Sequence, residues 1–342
     1  MSFDDVINKL KTKLELSKED LSSIFQYFEK KELNDKEIKE FVLFWREKKE
    51  TSSEISYLAK LLNEKQKQID VYKDSIDMCG TGGDKSNTFN ISTLSAIVAS
   101  SMGLPVIKHS GRSTTSVSGS VDILSAFGLN IDIDSRVKEN CFKENNLMFV
   151  SSKELREVFG SVKKNCKELG IPTFVNLLGP LTNPYETSYH LLGVCSIEWG
   201  KLLAESLSSL KNKHAIVACC KVSENVFLDE LSFCGVNYIW EIKNSEIIEK
   251  KLSPEDLGSK IAPFQELAIK NASNAKSIFE DILKGNLGKT DSKSSVVALN
   301  AGAALYLKNT VKSIQEGYRQ ALLHIQSGKS WEHFQNFLNC NK

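Results

Sequence analysis

Residues 78–96, MCGTGGDKSNTFNISTLSA, decide how this chain folds. Three glycines, an acidic residue and many hydroxyl and amide side chains lie between an apolar run ending near Cys79 and another beginning at Leu94. Glycine allows sharp turns and a close approach of a ligand to backbone N–H groups, and the free N–H groups at a helix start attract anions. We therefore predict a strand, a phosphate-binding loop and a helix. The alternative is a tight turn followed by an ordinary helix cap.

This loop differs from the common nucleotide-binding loops. It contains no GxxxxGK[ST] motif, and GTGGD (80–84) is not a GxGxxG sequence. The carboxylate of Asp84 would repel a bare phosphate, so we expect a metal ion or a cationic group to lie between them.

The pattern after about residue 70 is typical of an α/β fold. Short apolar runs alternate with helical segments, which predicts a largely parallel central sheet with helices on its faces. The predicted strands are 75–79, 104–108, 147–150, 214–220 and 238–242, and the predicted helices include 94–102, 120–127 and 153–169. Ligands bind beyond the carboxyl ends of strands in such sheets, so the glycine-rich loop is expected in a binding crevice.

The first 65 residues predict helices only, because apolar residues recur at helical spacing throughout. Three pairs mark helix starts: Ser17 with Asp20, Asn34 with Glu37, and Thr51 with Glu54. We therefore expect a small all-helical domain over residues 1–70, with a returning segment near 153–184, and a larger α/β domain over residues 71–342.

Composition argues against several classes of protein. The chain has 342 residues, 25% of them charged, and a net charge of +1, which gives no electrostatic reason to bind nucleic acid or a membrane surface. The charged N-terminus has no signal-peptide core, and no apolar run approaches the roughly 20 residues of a membrane span. Eight cysteines without a CxxC pair indicate reduced thiols. We expect a cytoplasmic protein.

A second polar loop, KHSGRSTTSVSGSVD (108–122), follows the next predicted strand. Lys108 and Arg112 can supply positive charge, and serine and threonine hydroxyls precede a helix start near Ser120. A serine-rich surface loop is the alternative. Two such loops after successive strands favour a ligand with phosphate at more than one place, such as a phosphorylated sugar diphosphate.

The third feature is the acidic pair Asp229 and Glu230 in NVFLDELSF. Carboxylates are hard oxygen ligands suited to Mg²⁺, which usually keeps waters and substrate phosphates as further ligands. Most such pairs are solvated surface residues. The two phosphate loops would, however, need a metal partner, and this favours a magnesium site.

Together these segments resemble the anthranilate phosphoribosyltransferase family. The resemblance is carried by GTGGDKSNTFNIST (80–93), KHSGRSTTSVSGSVDILSAFG (108–128), NLLGPLTNP (176–184), DELS (229–232), SPEDLG (253–258) and VVALNAGAALYL (296–307). It implies a small helical domain, a larger α/β domain and a homodimer formed through the N-terminal helices. It also implies transfer of phosphoribose from phosphoribosyl pyrophosphate to an aromatic amine, with Mg²⁺ and release of pyrophosphate.

The resemblance also implies roles for individual residues. The diphosphate would be held by Gly80, Gly83, Asp84, Thr88, Asn90, Ile91, Ser92 and Thr93. The rest of the phosphorylated sugar would be held by Lys108, His109, Ser110, Gly111, Arg112, Ser113, Thr114, Thr115, Ser116 and Ser120. Mg²⁺ would be bound by Ser92, Asp229 and Glu230, and the acceptor would lie near Gly80, Gly111 and Cys166.

The chain departs from the family pattern where the acceptor binds. The family usually has KHGNR where this chain has KHSGR (108–112), so its acceptor-binding Asn is Gly111 here. The family's Arg for the acceptor carboxylate corresponds to Cys166, and Lys163, Lys164 or Lys167 could approach instead. Three alternatives therefore stay open: a different aromatic acceptor, a non-enzymatic paralogue that binds nucleic acid or another partner, and a nucleoside phosphorylase.

Overall fold

A computed structural model of the chain describes residues 2–66, 69, 72–84, 86–111, 119–166, 170–210, 212–288 and 290–341. Four helices come first: α1 (Phe3–Lys11), α2 (Lys18–Lys30), α3 (Asp35–Lys48) and α4 (Ser52–Gln66). Over the described ranges, no helix is both long and apolar enough to cross a membrane.

Helices α2, α3 and α4 begin where the cap pairs predict. The Ser17 hydroxyl accepts from the Asp20 N–H while the Asp20 carboxylate accepts from the Ser17 N–H. Asn34 with Glu37 and Thr51 with Glu54 make the same reciprocal pairs. Each pair satisfies N–H groups that the helix itself leaves free.

Strands and helices alternate over the rest of the chain, which confirms the α/β prediction. The strands are β1 (Ile76–Gly80), β2 (Val106–His109), β3 (Leu147–Val150), β4 (Tyr189–Gly193), β5 (His214–Ser223), β6 (Val226–Leu228), β7 (Val236–Lys243) and β8 (Glu246–Leu252). The helices are α5 (Ile91–Ser101), α6 (Ser120–Ala126), α7 (Ser135–Asn145), α8 (Lys153–Cys166), α9 (Phe174–Leu178), α10 (Ile197–Ser209), α11 (Ala272–Leu283), α12 (Ser292–Leu307), α13 (Ile314–Gln326) and α14 (Lys329–Cys340).

One sheet runs through the molecule in the order β3-β2-β1-β4-β5-β7-β8, with β6 paired to β5. Strands β1 to β5 are mutually parallel, and β6, β7 and β8 run antiparallel to their neighbours. The chain adds strands to one side of β1 and then returns to add β4 on the other side. The carboxyl ends of β1 and β4 therefore form a topological switch point, where open α/β sheets bind their ligands.

The antiparallel edge was not predicted. Strand β8, EIIEKKL, is exposed along nearly all its length and carries four charged residues, so its pattern lacks the apolar alternation of a half-buried strand. Charges on an edge strand also discourage pairing with other chains.

Both faces of the sheet are covered by apolar helices. Along β5, Ile216, Ala218 and Cys220 face a core formed with α5, α6 and α11 to α14. The intervening Ala215, Val217 and Cys219 face a second core formed with the N-terminal helices, α8, α9 and α10. This alternation follows the two-residue period of a strand.

Helices α8 and α9 pack on the N-terminal helices through aromatic residues. Phe159 of α8 and Phe174 of α9 stack edge-to-face, and each also contacts Phe28 of α2. Phe174 further contacts Phe41 and Trp45 of α3. Helices α8 and α9 of the predicted returning segment thus lie against α2 and α3, while the division of the chain into two domains stays a prediction.

Candidate active site at the switch point of the sheet

The acidic pair lies directly over the ends of β1 and β4. Gly80 and Gly193 are paired across these two strands. A Cβ at Gly193 would lie 1.6 Å from the carbonyl oxygen of Asp229, and one at Gly80 would lie 2.6 Å from the Asp229 carboxylate oxygen Oδ2. Any side chain at either position would displace Asp229. Both positions are therefore glycine, because the segment that carries Asp229 crosses them.

The same carboxylate holds the glycine loop. The Gly82 N–H donates to Asp229 Oδ2 at 2.9 Å, and the Thr81 N–H donates to the Gly193 carbonyl at 2.9 Å. Gly82 and Gly83 have φ angles of +64° and +86°, in the left-handed region that glycine adopts without strain. The turn predicted from the glycines is therefore formed.

Two further segments anchor the loop. Thr88 forms an isolated antiparallel bridge with Ala268, and the Ile269 N–H donates to the Asn87 carbonyl at 3.0 Å. On the other side, the Asn176 side-chain amide donates to the Thr81 carbonyl at 3.1 Å. These contacts hold the loop at the start of helix α5.

A cavity of about 640 Å³ opens at this edge of the sheet. Most of the predicted site residues line it: Gly80, Gly83, Asp84, Thr88, Asn90, Ile91, Ser92, Lys108, His109, Ser110, Gly111, Ser120, Asp229 and Glu230. The structure thus brings the described parts of both polar loops and the acidic pair into one cavity. Arg112, Ser113, Thr114, Thr115 and Ser116 lie outside the described residues.

Two predicted site residues do not line the cavity. Thr93 is fully buried in the first turn of α5, and its hydroxyl has no hydrogen-bond partner among the described residues. Cys166 is 3% exposed and belongs to the core between α8 and the N-terminal helices. The Cys166 side chain therefore does not contact the cavity where the acceptor was predicted to bind.

Lys108 has a different setting from the predicted ligand-binding cation. It is 2% exposed, and its ammonium group donates to the Met78 carbonyl at 2.6 Å. Burial raises the pKa of Glu230 to about 8, and the Lys108 charge opposes that rise. Lys108 thus supplies positive charge to Glu230 from within the cavity wall.

His109 is held in place by several contacts. Its Nε2 accepts from the Ser152 N–H at 3.1 Å, and its ring also hydrogen-bonds to the Gly179 backbone. Burial lowers the pKa of the ring, so His109 is neutral near pH 7. The backbone N–H of His109 donates to Asp77 Oδ1 at 2.9 Å. Both ring nitrogens are engaged, which makes His109 part of the rigid cavity wall.

Three carboxylates meet in the cavity. Burial raises the pKa of Asp229, and the charges of Asp84 and Glu230 raise it further. The Asp84 oxygen Oδ2 is buried without a hydrogen-bond partner among the described residues. Crowded, partly desolvated carboxylates of this kind are stable as anions only when a cation is bound.

These residues fit a magnesium ion. The donors are hard oxygens, and Ser92 lies beside Glu230, whose carboxylate accepts from the Ser92 N–H. No group of three or more His, Cys, Asp or Glu in the described ranges is arranged to hold a metal by itself. A site with few protein ligands agrees with the preference of Mg²⁺ for waters and substrate phosphates.

Helix α8 forms a wall of the cavity that the motifs did not identify. Leu155, Arg156 and Lys163 line it, together with Ser151 and Ser152 just before the helix. Of the three helix residues that line the cavity, only Lys163 was among the predicted candidates. The seven-residue interval between Arg156 and Lys163 places both on one helix face, and this spacing is the signal that could have indicated the wall.

Comparison with known proteins agrees with this geometry. Residues 72–331 match the family model described as "Glycosyl transferase family, a/b domain". The fold and the cavity at its switch point therefore define a glycosyl transferase of this α/β class.

Similar sequences and solved structures identify the family within this class. The chain is 35% identical over 337 residues to an anthranilate phosphoribosyltransferase of Clostridium beijerinckii, covering 98% of this chain and 97% of the relative. The anthranilate phosphoribosyltransferase of Thermus thermophilus superposes with a TM-score of 0.86 at 27% identity, covering 98% and 99% of the two chains. The Saccharomyces cerevisiae enzyme in complex with PRPP (phosphoribosyl pyrophosphate) and Mg superposes with a TM-score of 0.85 at 26% identity, covering 99% and 97%. The chain belongs to the anthranilate phosphoribosyltransferase family.

Proposed function

We propose that this protein transfers the phosphoribosyl group of phosphoribosyl pyrophosphate to the amine of anthranilate and releases pyrophosphate, a step of tryptophan biosynthesis. The observation that carries the proposal is that the acidic pair and the described parts of the glycine loop and of the second polar loop meet in one cavity. The relatives named above support the choice of substrates.

The diphosphate is assigned to the glycine loop. Gly80, Gly83, Asp84, Thr88 and the start of α5 from Asn90 to Ser92 surround this end of the cavity. The amino end of α5 lies at this end of the cavity, and its positive helix dipole favours the negative charge of a phosphate. The second loop, from Lys108 to Ser120, is assigned to the rest of the phosphorylated sugar.

Magnesium is assigned to Ser92, Asp229 and Glu230. When bound, Mg²⁺ would neutralise the charge that develops on the departing pyrophosphate. Asp84 lies beside this pair, so a cation there also removes the repulsion between Asp84 and a phosphate. Lys108 in the cavity wall favours the ionised form of Glu230.

The reaction requires the protein to position the two substrates and to stabilise the charge on the leaving group. A bond from the anomeric carbon to a pyrophosphate oxygen breaks, and a bond from that carbon to the acceptor nitrogen forms. Fixed N–H donors stabilise the leaving group without rearrangement, and holding the amine in line with the carbon supplies much of the remaining rate. The contacts of Thr81, Asn176 and His109 keep these walls rigid.

Pyrophosphate release tests the proposal. With phosphoribosyl pyrophosphate, Mg²⁺ and anthranilate, the wild-type protein should turn over, and Asp229→Ala with Glu230→Ala should reduce kcat by at least about a hundredfold. Glu255→Ala with Asp256→Ala removes an adjacent acidic pair from an exposed turn and serves as the control. Turnover near the wild-type rate in the first double variant would remove magnesium from the mechanism.

A different aromatic acceptor is the second candidate. It is favoured by the position of Cys166 in the helical core, where the family has its carboxylate-binding Arg. A screen of aromatic amines that follows pyrophosphate release would distinguish the two, because the true acceptor will give the highest kcat/KM.

We also propose a homodimer formed through the N-terminal helices, two domains with a boundary near residue 70, and a cytoplasmic location. Leu43 on α3 and Leu14 after α1 are exposed, which supports contact with a second copy. The eight cysteines are all unpaired, in keeping with a reducing compartment. Light scattering after size-exclusion chromatography would give a single-chain mass if the dimer is wrong.

A further inference from the structure

The family's carboxylate-binding position is unusable in this chain. Cys166 packs in the core with residues of the N-terminal helices, and burial raises the pKa of its thiol. A buried neutral thiol cannot balance the charge of a carboxylate. If the acceptor is an aromatic acid, its carboxylate needs cations from elsewhere in the cavity wall.

Helix α8 supplies two such cations, three and ten residues before Cys166. Arg156 and Lys163 both line the cavity. They are separated by two helical turns, about 10 Å along the axis, and so belong to the same face. Cys166 on this helix instead points into the helical core.

Neither cation has a strong ion pair in the part of the chain that the structure describes. The Arg156 guanidinium donates to the Ser151 hydroxyl at 2.6 Å, and its nearest carboxylate oxygen, on Asp132, lies 4.0 Å away. The Arg156 and Asp132 side chains are 56% and 57% exposed, so this pair contributes little. Lys163 makes no ion pair within the described ranges.

Lys163 is also close to other positive charge. Lys163 lines the cavity, where the surrounding protein partly removes it from water, and this desolvation lowers the pKa of its ammonium group. The charge of Arg156 lowers that pKa further. The charge of Lys163 in turn contributes to the lowered pKa of His109. Two neighbouring cations that have only the exposed, distant Asp132 carboxylate beside them in the described ranges form a site at which a bound carboxylate would relieve repulsion.

Apolar side chains line the same cavity as these cations. Leu155 of α8, Val175 of α9 and Pro180 line the same cavity. A planar aromatic ring can pack against such side chains while its charged substituent reaches the cations. These cations and apolar side chains therefore match an aromatic acid, and the carboxylates Asp84, Asp229 and Glu230 match a metal–diphosphate.

We propose that Lys163 and Arg156 bind the carboxylate of the aromatic acceptor in place of the residue at position 166, and so select an aromatic amino acid over a neutral aromatic amine. This inference rests on the proposed phosphoribosyl transfer. It assigns the acceptor end of the cavity to α8 and leaves the diphosphate end to the glycine loop.

Kinetics of Lys163→Met and Arg156→Gln test the proposal. Each variant should raise the KM for anthranilate about tenfold or more, because a charge-assisted hydrogen bond is lost. The KM for phosphoribosyl pyrophosphate should stay within about twofold. Lys164→Met is the matched control, since Lys164 is exposed on the same helix and does not line the cavity.

Anthranilamide, which lacks the negative charge, separates a binding role from a structural one. The wild type should prefer anthranilate over the amide strongly, and the preference should fall about tenfold in Lys163→Met. General damage to the fold would lower kcat/KM for both acceptors and leave their ratio unchanged.

Several outcomes would overturn the inference. An anthranilate KM unchanged in both variants would do so, as would equal use of the amide by the wild type. A parallel loss of affinity for phosphoribosyl pyrophosphate, measured by calorimetry, would reassign the two cations to phosphate. Absence of pyrophosphate release by the wild type would overturn the proposed function and this inference with it, whereas an active wild type with unaffected variants overturns the inference alone.

Discussion

The glycine-loop wall and the α8 wall of the cavity are built by different means. In the first wall, backbone geometry sets the structure: Gly80 and Gly193 leave room for Asp229, and the Gly82 N–H donates to the Asp229 carboxylate. In the α8 wall, side chains set the chemistry: Arg156 and Lys163 project from a regular helix, and the backbone of that helix would be the same with other residues.

The difference explains where the chain keeps its family motifs and where it departs from them. A phosphate cradle made of backbone requires glycine at particular positions, because any Cβ there collides with another segment. A carboxylate site needs only a cation within reach, and several positions on one helix face can supply it. Under the proposed function, acceptor recognition could therefore move along α8 while the diphosphate site stays in place.

Gly193→Ala should break the backbone wall, and we expect it to have the largest effect. Its Cβ would lie 1.6 Å from the Asp229 carbonyl oxygen, so the acidic pair must shift. Misplacement by about 1 Å can cost about a hundredfold in rate, and overpacking costs about 1–3 kcal/mol of stability. Activity and thermal unfolding should both fall. Gly288→Ala is the control, because an added Cβ there meets nothing within 4 Å.

Glu241→Gln should lower the stability of the fold without affecting either wall of the cavity. Glu241 is buried and accepts from His214, Lys250 and Tyr306, which lower its pKa from 4.5 to about 2. A depressed carboxyl pKa stabilises the fold above pH 4.5, and that contribution, of about 3 kcal/mol, is lost as the pH falls toward 2.

Urea unfolding as a function of pH measures this contribution. The wild type should lose stability between pH 4.5 and 2, and Glu241→Gln should be less stable at pH 7 with a flatter acid limb. The KM for anthranilate should be unchanged, since Glu241 does not line the cavity. Glu246→Gln, at an exposed position on β8, is the control. An equal pH response in both proteins would show that the network has no such role.

Cys166→Ala should have the smallest effect of these variants, and it tests whether residue 166 belongs to the α8 wall. Removing a buried thiol should cost about 1 kcal/mol of stability, seen as a lower unfolding midpoint. The KM for anthranilate should change by less than about twofold, because Cys166 faces the helical core. A clear rise in KM would place residue 166 at the acceptor after all.

Local signals in the sequence predicted much of the fold and the phosphate end of the site. The cap pairs beginning at Ser17, Asn34 and Thr51 form as expected, since a cap depends on residues three positions apart. Strand β4 and the charged strand β8 were not predicted, because their short or charged patterns carry no clear alternation.

The amino-acid sequence by itself determined the parallel α/β arrangement, the glycine turn and the helix start that follows it, because periodicity and positive φ angles are properties of neighbouring residues. Only the tertiary structure decided which distant groups meet. Asp229 caps a loop 147 residues away, Lys108 bonds to the Met78 carbonyl, and Cys166 is buried while Lys163 lines the cavity. Such contacts depend on how the sheet orders its strands and which face each helix turns to it, and these are settled by packing across the whole chain.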